Sequence, residues 1–140
     1  MSVASAMGVC VWLEGLLVQA AVANLVRRNP VLYAPSNSPS VVDVTLDGSR
    51  RLDLMLGGLS DWETRVRCDL VCVGVGADLE VFALLDRVVA CLQAAPLPDD
   101  VQQIELVPEG DQMIFETDEC LQQTCRLSLP LVVQHRTTGI

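Results

Sequence analysis

Residues 64–75 read TRVRCDLVCVGV, and residues 124–134 read TCRLSLPLVVQ. In the first, Val66, Cys68, Leu70 and Cys72 fall on one face and Arg65, Arg67 and Asp69 on the other. That period of two belongs to an extended strand with one apolar and one polar face. The second alternates more cleanly, with Cys125, Leu127, Leu129, Leu131 and Val133 on one face and Arg126, Ser128, Pro130 and Gln134 on the other.

Between them the period changes. Asp78 stands where a helix N-cap is expected, and Val81, Phe82, Leu84, Leu85, Val88, Val89 and Leu92 then follow one stripe of a helix over residues 79–93. Pro96 and Pro98 stop it, and Val101, Ile104, Leu106 and Val107 suggest a short strand ending at Pro108. An acidic loop comes next, with Glu109, Asp111, Glu116, Asp118 and Glu119 around Met113, Ile114 and Phe115. The core expected from the shared faces is Val66, Cys68, Leu70, Phe82, Leu85, Val89, Leu127, Leu129 and Leu131.

Upstream, an apolar run over residues 8–26 is interrupted by Glu14, Gln19 and Asn24 and has no cation before it, which argues against a membrane span or a signal peptide. We read a helix over about residues 5–29, with Arg27 and Arg28 opposing the macrodipole at its C-terminus and Pro30 ending it. A Pro- and Ser-rich loop leads into a strand over residues 41–46, and Asp47-Gly48 signals a turn. Residues 48–62 fit either an extended arm or an ordered loop. The expected architecture is a single α+β domain over residues 1–140: a mainly antiparallel four-stranded sheet with two helices packed on one face.

The chain has 140 residues, 51% of them hydrophobic, enough for a core. Nine arginines, no lysine and eighteen acids give a net charge of −9, which argues against a surface that grips phosphate backbones. Aromatic residues, at 4%, leave few platforms for stacking bases. Of the six cysteines, Cys68 and Cys72 lie about 13 Å apart along one strand, beyond disulfide reach. We read the cysteines as reduced core residues, implying a reducing compartment during folding.

Candidate chemistry is sparse. Gly74-Val75-Gly76 has the setting of a dinucleotide-binding turn, but Leu79 occupies the place of the third glycine. The loop over residues 109–119 lacks the spacing of a calcium-binding loop. His135 has no nucleophile motif near it and reads as a surface or interface residue. Pro130 marks an edge or a bulge, and Trp62 is either core or anchor. No catalytic residue, metal ligand or cofactor is expected, and the chain does not read as an enzyme.

The pattern resembles the tail terminator, or tail completion, family of long-tailed bacteriophages, the lambda-type minor tail protein. The resemblance covers residues 41–138. It rests on Trp62 leading into the strand at residues 65–75, the helix at 79–93, Glu116-Thr117-Asp118-Glu119 before the strand at 125–133, and His135-Arg136-Thr137-Thr138 at the end. It implies a structural virion protein, made in the host cytoplasm, that forms a homo-oligomeric ring, a hexamer, at the head-proximal end of the tail. Such a ring stops tube polymerisation, binds the tail tube protein and a neck or head-tail connector protein, and lets DNA pass without specific binding. Arg50, Arg51, Arg65, Arg67 and Trp62 are then expected at subunit or tube contacts, because arginine's rigid fork suits carboxylates across interfaces. Glu109, Asp111, Glu116, Asp118 and Glu119 are expected to face solvent or the lumen. Another neck protein, or a small ligand-binding α+β domain built on the glycine turn, is the alternative.

Overall fold

The computed structural model describes residues 5–29, 39–54, 58–106, 112–117 and 123–138. Two helices lie on one face of a six-stranded mixed sheet, in the order β1-β2-β3-β6-β4, with β5 also paired to β6. The elements are α1 (Ala6–Gln19), β1 (Leu25–Arg28), β2 (Ser40–Leu54), β3 (Leu59–Val73), α2 (Ala77–Ala94), β4 (Val101–Leu106), β5 (Gln112–Thr117) and β6 (Gln123–Thr138). The α+β class and the side taken by the helices are as expected; the sheet has two more strands, and β1 runs parallel to β2.

The two alternating segments are the central pair. β3 and β6 pair antiparallel along their length, from Leu59↔Thr138 to Val73↔Thr124, so Val66, Cys68 and Leu70 meet Leu131, Leu129 and Leu127 on the helix-covered face. β4 is also antiparallel to β6, so β3, α2 and β4 form a split β–α–β unit with β6 inserted between parallel strands. α2 buries Val81, Leu84, Val88 and Leu92, with Leu85 and Val89 half-buried beside them, but Phe82 is 48% exposed. The expected core therefore loses Phe82, which lies one residue beyond the buried stripe. The N-cap of α2 is Gly76, in the left-handed region at φ 80°, where a side chain would be strained, and Asp78 sits inside the first turn.

The N-terminal helix is shorter than expected. Ser5 caps it, its Oγ accepting from the Gly8 N–H at 3.0 Å, and it ends at Gln19. Arg27 and Arg28 lie on a strand. Arg27 stands opposite Asp43 and holds it with two hydrogen bonds of 2.8 and 2.9 Å, while Asn24 and Ser40 bond each other at the start of the pairing. A run this uniformly apolar has no period from which a helix end can be read, whereas the cross-strand pair supplies the strand.

Asp47-Gly48 is a bulge and not a turn. The register steps from Leu46↔Val66 to Gly48↔Arg65, leaving Asp47 unpaired, and a second step between Arg51 and Asp53 leaves Leu52 unpaired. The undecided segment at residues 48–62 is thus largely a hairpin, and β6 flanks its β3 side as far as Leu59↔Thr138.

Pro130 lies in a central strand. Along the side of β6 away from β3, β4 pairs as far as Leu106↔Leu131 and β5 begins at Gln112↔Ser128. Pro130 falls between these partners, at a position of β6 that has Arg67 of β3 on one side and no described partner on the other. Part of the expected acidic loop is strand β5.

Candidate interaction surfaces

The polar alternation of β3 builds the face of the sheet that the helices leave bare. Arg50 bonds Glu63 at 2.7 Å, and Arg65 approaches the other oxygen of Glu63 at 3.6 Å. Arg67 lies between Asp69 at 3.0 Å and Asp47 at 3.3 Å; Arg136 holds Asp61 at 2.8 Å. That hydrogen bond and the adjacent positive charge hold the Asp61 carboxyl below its ordinary range. Six of the nine arginines (Arg27, Arg50, Arg65, Arg67, Arg126, Arg136) sit at positions of this face, so it is close to neutral in a chain of net charge −9. The excess acid therefore lies elsewhere, in α1, α2 and the connections.

At the Leu59 end of the sheet, β1 covers β2 only along Val41–Val44. Among the described residues, β2 beyond that point is an open edge carrying Arg50, Arg51 and Leu52. The Arg50 side chain is 72% exposed and that of Arg65 66%, Leu52 is 46% exposed, and Arg51 has no ion-pair partner among the described residues. Trp62, opposite both Arg51 and His135, is half-buried.

Behind this edge a polar chain runs from exposed Ser49 to buried Thr64 and His135. The Ser49 and Thr64 hydroxyls are 2.9 Å apart, and Thr64 Oγ1 meets His135 Nε2 at 2.6 Å. His135 is 1% exposed, so it is not the surface residue expected. Burial pushes its pKa down, against a smaller upward pull from Asp100. The signal was present in the sequence: position 135 continues the odd-numbered apolar series of β6 onto the core face. His135 Nδ1 and Trp62 Nε1 are both buried without a hydrogen-bond partner among the described residues.

The helix layer presents two apolar surfaces. On α1, Met7, Val11 and Val18 are 44%, 46% and 55% exposed, with Glu14 in the same row. Beside them a groove of about 610 Å³ lies between α1 and the turn after α2, lined by Val11, Trp12, Gly15, Leu16, Leu97 and Asp99 among others. A helix apolar on every side cannot bury all of itself against one sheet, and that was legible in the sequence. At the other end of β3, Val75 and Leu79 are fully and three-quarters exposed, and Phe82 is one turn further on.

The structure thus places Arg50, Arg51, Arg65 and Trp62 together around one end of the β2–β3 hairpin. Arg67 sits further along, held by carboxylates of its own chain. Glu109, Asp111, Asp118 and Glu119 lie outside the described residues; Glu116 falls in β5, its side chain outside the description too. Among the described residues no group of three or more metal-ligating side chains occurs, and no helix is long and apolar enough to cross a membrane.

No family model matches the chain, and no curated protein matches it. Among solved structures it is similar to a chain of the "Virion of native gene transfer agent (GTA) particle", at 11% identity over 87% of this chain and 84% of that one, with a TM-score of 0.43. A likeness of that size carries no argument about role.

Proposed function

We propose that the protein is a structural subunit of a phage-like virion, acting as a tail terminator: a ring of identical copies that closes the head-proximal end of a tail tube and offers a joining surface to the neck. The observation that carries the proposal is the pair of exposed apolar surfaces at opposite ends of the sheet. Val75, Leu79 and Phe82 cluster at one end; Leu52 and the α1 groove lie towards the other, along a strand of 15 residues that spans about 50 Å. Surfaces of this kind mark sites where a chain meets partners. A ring at a joint needs more than one, to meet its own copies and to meet the parts it joins. The element order supports the same reading, because strand β3, helix α2 and the closing strand β6 are the elements on which the resemblance to tail terminators rests.

In this reading Arg50, Arg51 and Arg65, with Trp62 behind them, serve contacts between subunits or with the tube. The acidic residues 109–119 face the channel or solvent, where negative charge lets DNA pass without holding it. The test is to add the protein, carrying an epitope tag, to polymerising tail tube protein and to image the tubes with labelled antibody. Terminator function requires label at one end only and shorter, more uniform tubes. Label along the wall, or tubes of unchanged length with bare ends, overturns it. In a parallel reaction with isolated head-tail connector, label on the connector together with bare tubes favours a neck protein.

A further inference from the structure

We infer that identical copies join head to tail, the open edge of β2 on one copy seating Leu52 in the groove between α1 and the Pro96–Pro98 turn of the next. This inference rests on the ring reading above and names the contact that would build the ring.

The edge is built for side-chain docking. Two bulges interrupt residues 46–53, so the strand cannot present the regular row of backbone groups that an added strand requires. The second bulge leaves Leu52 unpaired and 46% exposed, beside an arginine whose exposed head reaches solvent (Arg50) and a second exposed arginine (Arg51), with Asp53 next in sequence. The groove is complementary in both respects. Its walls include Val11 and Leu97, 46% and 44% exposed, and its acids are Asp99 at the lining and Glu14 in the adjacent row of α1. No basic residue stands in the last turn of α1. Two exposed arginines beside an exposed leucine therefore meet an apolar groove with an anionic rim, and in a lysine-free chain of net charge −9 the groove is the kind of surface those arginines fit. Because donor and acceptor are different surfaces, the contact is heterologous, the type that closes into rings when the rotation permits.

The experiment separates donor from acceptor. Leu52→Asp removes the donor. Gly15→Trp fills the acceptor; an added Cβ there meets nothing within 4 Å, so the side chain can start from this position without a clash. Circular dichroism confirms folding of each variant, and native mass spectrometry reads assembly. Wild type is expected as a multimer and each variant alone as a monomer. An equimolar mixture gives a dimer and nothing larger, because Gly15→Trp retains a good edge and Leu52→Asp a good groove. If a variant fails to fold, Arg50→Glu with Arg51→Glu serves as the donor change, and Asp99→Arg with Glu14→Arg as its charge-reversed acceptor; assembly returns only when both reversals are combined. Variants that assemble like wild type overturn this contact while leaving the ring standing. A mixture of monomers also overturns it, since an intact edge and an intact groove are then both present and do not join. A wild type that stays monomeric overturns both the contact and the ring.

Discussion

The imidazole of His135 is buried and bonded to Thr64, and burial lowers its pKa below the ordinary 6.5. The unfolded chain therefore binds a proton more readily than the folded one between those two pKa values. The stability contributed is present in full above 6.5 and is lost as pH falls through the folded pKa. Thermal melts should show stability falling between pH 7 and 5, with the slope reduced in His135→Gln; an unchanged slope contradicts the buried neutral assignment. The cysteines give a second residue-scale prediction. Burial raises the Cys68 thiol to about 12 and, with help from Glu80, the Cys72 thiol to about 11, and all five described cysteines are free. Both thiols should react slowly with a disulfide reagent in the native state. After denaturation six thiols should titrate, and fewer than six in freshly purified protein contradicts the reduced state.

At the scale of elements, the sequence was most legible where burial is one-sided and least where it is not. The alternation at residues 64–75 and 124–134 placed the central strands and their buried faces, because a half-buried strand writes its period into the chain. The α1–β1 boundary was not legible, since both segments are apolar and the deciding interaction, Arg27 with Asp43, joins residues sixteen apart. The two bulges in β2 were likewise invisible, because Asp47-Gly48 has the same composition in a bulge as in a turn. Within α2 the stripe was right except at its margin, which gives a paired prediction. Leu84→Ala, at a fully buried position, should cost about 2–5 kcal/mol. Phe82→Ala should cost under about 1 kcal/mol, and near-equal losses in chemical denaturation would show that the helix is turned differently. On the hairpin, Arg50→Ala with Arg51→Ala should change stability by under about 1 kcal/mol, as expected of one ion pair at an exposed arginine and one exposed arginine without such a pair among the described residues. The same double variant should weaken assembly and tube binding, and unchanged tube capping would move the contact elsewhere.

At the scale of the whole molecule, the fold segregates charge and apolar surface. One sheet face is neutralised by its own ion pairs, one open edge carries exposed arginines, and the helix layer carries excess acid together with an apolar row and groove. The interaction surfaces were only partly legible in the sequence. The arginines stood out by scarcity, but the groove joins residues 11–19 to residues 96–99, which only the folded chain brings together. In the proposed reading, other copies and partners cover the apolar surface exposed among the described residues. The native mass of the purified protein, by sedimentation velocity alone and with tail tube protein, tests this most directly. A discrete closed assembly of identical subunits is expected, near six times 15.1 kDa on the tail-terminator reading. A single 15.1 kDa species at every concentration, with and without tube protein, would contradict it.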